Sequence, residues 1–129
     1  MMSDIFTVEI ISPDQTILKQ EANEVTIPAY EGELGILKDH IPLITFLRPG
    51  FINIKNQDEK KYFVEEGTVE FSNNNLLILT STAKDLNNFE KHSINNQIEM
   101  AENKIKNNNL TDKEKYLESY KIDTLKEIN

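Results

Sequence analysis

The sequence predicts a mainly β protein with an α appendage: an N-terminal antiparallel β-sandwich followed by a C-terminal antiparallel two-helix hairpin. Apolar residues alternate with period two up to about residue 86, and turn-forming residues divide that part into short runs. After about residue 90 the apolar residues recur with a helical period instead. We therefore expect a sandwich domain over residues 1–88 and a helical hairpin domain over residues 89–129.

The runs of the first part place their apolar residues on one parity, which is typical of strands with a single buried face. Short strands spaced about 8–12 residues apart, with turn signals and no helix between them, favour an antiparallel sandwich or barrel. The run from Leu76 to Leu79 is apolar on both parities, so this strand is either covered on both faces or meets a partner. The one-parity runs are Phe6/Val8/Ile10, Val25/Ile27, Ile52/Ile54, Tyr62/Val64 and Val69/Phe71.

Two helices are predicted in the second part. The first carries a single apolar stripe, and Ser93 stands before that stripe as a predicted N-cap. The second opens with a capping box, in which Thr111 is followed three residues later by Glu114. Helices of this length are marginal in water, so the hairpin must pack on the sandwich or on another protein. The stripe is Ile94, Ile98, Ala101 and Ile105; the link is Asn107–Asn109; the looser second face is Tyr116, Leu117, Tyr120, Thr124 and Ile128.

Charge and composition exclude several classes of protein. The formal net charge of −8 argues against binding to nucleic acid or to anionic lipid. Residues 1–86 hold most of the excess, with fourteen acidic and seven basic side chains. No run approaches the roughly 18 apolar residues that a spanning helix needs, so we expect no direct membrane insertion. The chain has no cysteine, which excludes disulfides and thiolate metal sites.

A catalytic constellation is missing from the sequence. His40 and His92 lie far apart and neither belongs to a zinc motif. The four glycines do not form a phosphate-binding loop. Glu31 and Glu33 are a carboxylate pair, but such pairs are mostly solvated surface. We therefore expect no catalytic residue, no metal site and no cofactor.

One segment has an unusual combination of residues. It runs from Pro28 to Thr45 and reads Pro-Ala-Tyr-Glu-Gly-Glu-Leu-Gly-Ile-Leu-Lys-Asp-His-Ile-Pro-Leu-Ile-Thr. Its glycines, Gly32 and Gly35, permit positive φ or a close approach of the backbone, and Pro42 favours an extended residue before it. A glycine-kinked crossover between the two sheets of a sandwich accounts for the glycines and the proline.

This segment resembles the characteristic sequence of epsilon subunits of bacterial-type F-type ATP synthases, which are homologous to the mitochondrial delta subunit. The resemblance rests on Glu31–Thr45 and on the Pro49-Gly50 that follows. It extends in order to the first strand and turn at Val8–Pro13, to Tyr62–Glu70, and to Leu77–Leu79. A helical hairpin at residues 93–128 also falls where the family places one.

The resemblance implies a rotor subunit that packs on the gamma subunit and rests on the c-ring, peripheral to the cytoplasmic face of a bacterial membrane. It assigns the c-ring contact to Glu31, Gly32, Glu33 and His40, on an exposed bend. For Glu31 and Glu33 the alternative is plain solvated surface, and for His40 it is a turn residue bonded to the backbone. Outside the family, a stand-alone sandwich that binds a peptide or carbohydrate is the second hypothesis and a small enzyme the third. Co-purification with the gamma subunit separates the first two.

The hairpin departs from the family pattern. Some members bind ATP there through an aspartate and an arginine three residues apart, whereas this chain has Asn95 and Ile98 in those places. This argues against ATP binding of that kind. In several members the extended hairpin inhibits hydrolysis, because basic residues of its second helix meet the catalytic beta subunit. Residues 111–128 carry four basic and five acidic side chains, so we expect such inhibition to be weak.

Overall fold

The computed structural model describes residues 4–107 and 109–128. Met1–Ser3, Asn108 and Asn129 lie outside the described residues, so the predicted link is described only at Asn107 and Asn109. The described elements are β1 Phe6–Ile11, β2 Thr16–Ala22, β3 Glu24–Ala29, β4 Gly32–Leu37, β5 Leu43–Leu47, β6 Gly50–Lys55, β7 Glu59–Val64, β8 Gly67–Ser72, β9 Asn75–Leu79, β10 Lys84–Asp85, a 3-10 turn Leu86–Asn88, α1 Lys91–Lys106 and α2 Asp112–Ile128.

The strands form one curled sheet that folds into two layers. Its order is β10-β7-β6-β3-β5-β8-β9-β1-β2, with β4 paired to β3. We call β10, β7, β6, β3 and β4 sheet I, and β5, β8, β9, β1 and β2 sheet II; the two join where Ala29 pairs with Leu47. Every pairing is antiparallel except that of β1 with β9, so the sheet is mixed rather than purely antiparallel.

The core lies between the two layers. Every residue of the one-parity runs is buried, as predicted, because alternate side chains of a strand point to opposite faces of its sheet. Ala22, Ile36, Leu47, Leu76 and Ile78 complete the same cluster. Full burial of such a side chain contributes about 1.5–3 kcal/mol. The sandwich predicted from alternation is therefore confirmed.

A second, smaller cluster lies outside sheet I. Phe63 stands between two inward-facing residues of β7, yet only 1% of its surface is exposed, because its ring faces the hairpin. Ile94 of α1 and Leu125 of α2 pack on it. The hairpin thus covers the outer face of β6 and β7. Half-buried Phe51, Leu86, Phe89, Ile98 and Ile128 surround this cluster.

The first helix starts earlier than the sequence predicts. It begins at Lys91 with Glu90 as N-cap, and no side chain caps it, so the prediction for Ser93 is wrong. The chain enters this helix through Phe89, whose ring packs edge-on against Phe63 at 5.7 Å, and this apolar contact replaces a polar cap. Ser93 lies within the first turn and accepts a hydrogen bond from Gln97 Nε2 at 3.1 Å. The apolar stripe is confirmed by the burial of Ile94 and Ala101.

The second helix begins as predicted. The Thr111 amide donates to Glu114 Oε1 and the Glu114 amide donates to Thr111 Oγ1, both at 3.1 Å, which completes the capping box. Its buried face differs from the prediction, because Leu125 and Ile122 are buried whereas Tyr116 is 39% exposed. Within the described residues, neither helix has an apolar stretch long enough to cross a bilayer.

Three polar contacts bind α2 to the sandwich. The Tyr116 hydroxyl donates to the carbonyl of Tyr30 at 3.3 Å. The Arg48 guanidinium lies 3.9 Å from the centre of the Tyr120 ring. Lys121 Nζ pairs with Glu65 Oε1 at 2.8 Å. Hydrogen bonding with Tyr120 raises the pKa of the Tyr116 hydroxyl above its ordinary value. Because the sandwich partners come from three different loops, α2 is fixed in position as well as in orientation.

Candidate functional site

The predicted contact residues begin at the turn between β3 and β4. Tyr30 and Glu31 form the turn, and Gly32 pairs with Ala29 directly after it. Gly32 has a φ of +132°, which L side chains rarely adopt, and no heavy atom lies within 4 Å of where its Cβ would be. The glycine is therefore required by backbone conformation and not by lack of space. Glu31 is exposed at the tip.

Glu33 faces a different surface from Glu31. Glu33 lies in β4, where it pairs with Pro28 of β3. It lines a cavity of about 410 Å³ between sheet I and α2. Arg48 and Tyr120 line the same cavity, together with Glu127 from the last turn of α2. Although the two glutamates are two residues apart, only Glu31 lies at the tip of the turn.

His40 does not share an exposed bend with the two glutamates. The six residues of β4 separate it from the β3–β4 turn, a distance of roughly 20 Å at the usual rise per residue. Its Nδ1 bonds to the carbonyl of Ile41 at 2.7 Å, and its ring packs edge-on against Phe71 at 6.0 Å. The placement of the four residues on one bend is therefore wrong, and the alternative of a backbone-bonded turn residue describes His40.

The β3–β4 turn belongs to a cluster of loops that we call the loop end, made of residues 12–15, 30–31, 48–49, 65–66 and 80–82. Hydrogen bonds join two of these loops, 65–66 and 80–82: the Thr80 hydroxyl donates to the Glu66 carbonyl at 2.6 Å, and the Glu65 amide donates to Thr82 Oγ1 at 3.0 Å. Asp14, Glu31 and Glu66 are exposed there, which makes the loop end acidic. Sequence reasoning did not include Asp14 and Glu66 in the contact, although both lie between predicted strands.

The outer face of sheet II carries an exposed apolar surface that the sequence indicated only in part. Cross-strand pairing places Phe46, Thr68 and Leu79 in one row, and Ile44, Glu70 and Leu77 in the next. We call Ile41, Ile44, Phe46 and Leu79 the apolar strip. Their exposed fractions are 74%, 71%, 58% and 46%. Exposed apolar side chains grouped on one face are typical of surfaces that contact a partner.

Acidic side chains flank the apolar strip. Glu70 stands between Ile44 and Leu77 in the same row, and Glu9 pairs with Leu77 on its other side. A complementary surface would therefore be apolar with basic groups at its edge. The both-parity run of Leu76–Leu79 was the sequence signal for this face. The run is not covered on both faces by the described chain, because Leu79 is 46% exposed, and contact with a partner stays a prediction.

Among residues 4–107 and 109–128, no group of three or more histidine, cysteine, aspartate or glutamate residues is arranged to hold a metal ion. The polar residues at both ends of the sandwich bond mainly to backbone and to one another. Asp39, for example, exchanges two hydrogen bonds with Asn74, at 2.7 and 2.9 Å.

Comparison with known proteins gives consistent matches. The family described as "ATP synthase, Delta/Epsilon chain, beta-sandwich domain" matches residues 5–85. The ATP synthase epsilon chain of Pelagibacter ubique is 47% identical over 130 residues, which cover 99% of this chain and 100% of that one. The ATP synthase epsilon chain of Rhizobium johnstonii is 28% identical over 121 residues, covering 92% and 90%.

Two solved structures have the same fold. One is a chain of the Euglena gracilis mitochondrial ATP synthase, in an OSCP/F1/c-ring structure, with a TM-score of 0.73 and 20% identity; the match covers 92% of this chain and 76% of that one. The other is a chain of the Tetrahymena thermophila mitochondrial ATP synthase central stalk and c-ring, with a TM-score of 0.64 and 18% identity, covering 94% and 93%.

Proposed function

The chain belongs to the ATP synthase delta/epsilon family, and from this membership we propose that it is a non-catalytic rotor subunit of a proton-translocating F-type ATP synthase. In this role it belongs to the central stalk and couples rotation of the gamma subunit to the c-ring. It is peripheral on the cytoplasmic face of the bacterial membrane. The observation that carries the proposal is the apolar strip, which gives a β-sandwich without catalytic groups a surface for a partner.

The apolar strip is the proposed contact with the gamma subunit. Ile44 and Phe46 are large, more than half exposed, and next to each other on the outer face of β5. Apolar anchors at the centre of an interface contribute most of its binding free energy. Glu70, beside Ile44, and Glu9, on the far side of Leu77, favour a partner with basic groups opposite them, which sets orientation more than affinity.

Glu31 and Asp14 on the loop end form the proposed contact with the c-ring. Both side chains are exposed and carry negative charge. Basic residues on the loops of the ring would pair with them. Each such exposed pair is worth about 0–1 kcal/mol, so the contact fixes register more than it adds affinity. Gly32 gives the turn its shape, and Glu33 faces α2. The proposal thus keeps the β3–β4 turn and removes His40 from this contact.

A binding experiment tests the apolar strip. We expect Ile44→Asp to weaken binding of the full chain to the gamma-containing catalytic complex at least about 30-fold, because an apolar anchor would be replaced by a charge. Leu37→Asp is the matched control, since Leu37 is 56% exposed but lies on sheet I. We expect it to bind within about threefold of the wild type. Wild-type affinity of Ile44→Asp would contradict the assignment of the strip.

A pumping experiment tests the loop end. We expect Glu31→Lys to lower ATP-driven proton pumping in inverted membrane vesicles while ATP hydrolysis continues, because the charge at the proposed contact is reversed. His40→Ala should leave pumping closer to wild type, since His40 lies at the other end of β4. If the two variants gave the reverse order, the c-ring contact would lie at the end that carries His40.

We further propose that the hairpin regulates hydrolysis only weakly when it extends toward the catalytic beta subunit. The support is the charge of residues 111–128, in which acidic side chains outnumber basic ones by five to four. ATP hydrolysis by the reconstituted complex, measured with the full chain and with a chain lacking residues 88–129, should differ less than about twofold. A several-fold rise on truncation would contradict weak regulation.

A further inference from the structure

A groove of about 740 Å³ opens at the loop end, where the apolar strip ends. Phe46 and Leu79 belong to both the strip and the groove, so the two surfaces are continuous. Tyr30 and Gly67 line the groove from sheet I and from the start of β8, and Lys113 lines it from the first turn of α2. Its volume lies within the range of about 300–1,000 Å³ typical of binding clefts. The site is therefore shared between the sandwich and the hairpin.

The lining of the groove combines an apolar floor with one cation, Lys113, and one exposed carboxylate, Glu66, on the sandwich side. Phe46 and Leu79 supply exposed apolar surface, and Thr80 and Ser81 add hydroxyl groups. Among the described residues Lys113 forms no ion pair; its Nζ lies 5.8 Å from the centre of the Tyr30 ring. A segment that fits this lining has a large apolar side chain on the floor and a carboxylate next to Lys113.

The hairpin wall of the groove is held by the contacts of α2 with the sandwich. Tyr116 bonds to the carbonyl of Tyr30, which itself lines the groove, and Tyr120 packs edge-on against Tyr116 with ring centres 4.8 Å apart. Arg48 packs on the Tyr120 ring from the sandwich side. Lys113 therefore faces the groove only while α2 is docked. A partner that contacts Lys113 must favour docking, and docking must favour the partner to the same degree.

We propose that this groove receives an extended segment of the gamma subunit that carries a large apolar residue and an acidic residue. The proposal rests on the assignment of the apolar strip to that subunit. It adds a second contact, in which α2 takes part, to the contact made by sheet II. Binding of the gamma subunit and docking of the hairpin are then linked, and each strengthens the other.

The affinity of the full chain for the gamma-containing catalytic complex tests the site. Lys113→Glu should weaken binding about tenfold, since the charge at the edge is reversed. Lys115→Glu is the matched control, because Lys115 is exposed in the same helical turn but does not line the groove. Ser81→Trp should also weaken binding by filling the groove, whereas Gln57→Trp, in the exposed β6–β7 turn, should not.

The outcomes separate this proposal from the one on which it rests. If Lys113→Glu and Ser81→Trp bind within twofold of wild type while Ile44→Asp is weakened, the groove is not a contact but the strip remains one. If Lys115→Glu weakens binding as much as Lys113→Glu does, the loss reflects the overall charge of α2 and not a contact in the groove, and the groove proposal fails. Hydrogen exchange gives the independent readout: amides of residues 113–121 should exchange more slowly in the complex, and unchanged exchange would overturn the linkage.

Discussion

The two outer faces of the sandwich differ in how far their apolar side chains are exposed to solvent. On sheet I the hairpin covers β6 and β7, and Phe63 is 1% exposed beneath it. On sheet II nothing in the described chain covers Ile44 and Phe46, which remain mostly exposed. Both faces carry large apolar side chains at positions that alternation alone would assign to solvent. The difference shows that one face is completed within the chain and that the other is available to a partner.

This difference is invisible in the local sequence. Tyr62-Phe63-Val64 in β7 and Thr45-Phe46-Leu47 in β5 each place a phenylalanine between two inward-facing residues. One ring becomes core and the other becomes surface because the hairpin, at least 27 residues further along the chain, packs on sheet I. Whether such an apolar residue is exposed is thus determined by which face of the sandwich the distant hairpin packs on.

The two phenylalanines give the largest expected effect. Phe63→Ala should lower the free energy of unfolding by about 3–5 kcal/mol, because it leaves a cavity between β7 and the hairpin. Phe46→Ala should change it by about 0.5 kcal/mol or less, since its ring already contacts water. Urea denaturation followed by circular dichroism measures both. Comparable losses in the two variants would mean that the face of sheet II is covered within the chain.

The sequence predicted the strands and the core well, because burial on one parity is a local property. It also predicted the capping box of Thr111 and Glu114, whose two hydrogen bonds span only three residues. It failed where the determinant is distant: Leu125 is fully buried because Phe63 of β7 meets it. The start of α1 was misplaced for the same reason, since Phe89 anchors the helix on Phe63.

Substitutions at Gly67 and Gly35 test how closely the chain is packed where sheet II meets the groove. A Cβ at Gly67 would lie 2.7 Å from the carbonyl oxygen of Leu79 and 3.1 Å from Leu47 Cδ1, whereas at Gly35 nothing would lie closer than 3.9 Å. Gly67→Ala should therefore cost about 1–3 kcal/mol of stability, because backbone must move. Gly35→Ala is the control and should be close to neutral in the same urea titration. If Gly67→Ala left the free energy of unfolding unchanged, the backbone at the edge of the groove would be able to move at little cost.

Removing the contact of Arg48 with Tyr120 tests how much this contact contributes to docking of the hairpin on sheet I. Tyr120→Leu removes the ring that lies 3.9 Å from the guanidinium and should cost about 0.5–2 kcal/mol. Tyr120→Phe keeps the ring and is the matched control. Hydrogen exchange of the α2 amides measures the loss, because weaker docking speeds exchange throughout the helix. Equal exchange in Tyr120→Leu and wild type would assign the docking to the apolar cluster alone.

The functional surfaces were less predictable than the fold. The family resemblance placed Glu31 and His40 on one bend because they are close in sequence, but an intervening strand carries the chain from one end of the sandwich to the other. Conversely, Asp14, Glu31 and Glu66 belong to one loop end although up to 52 positions separate them. Only the strand order, which follows from long-range pairing, brings such residues together.

The smallest effect concerns the first turn of α2, where the covered face meets the groove. Hydrogen bonds from the amide and hydroxyl of Thr111 lower the pKa of Glu114 below its ordinary value of 4.5. Because the folded state favours the ionised carboxylate, the cap stabilises α2 fully above that value and is lost as the pH falls through the lowered pKa. The NMR shift of the Thr111 amide, which donates to Glu114 Oε1, should titrate with a midpoint below 4.5. This titration should be absent in Glu114→Gln, and a wild-type midpoint at or above 4.5 would mean that α2 begins without this cap in solution.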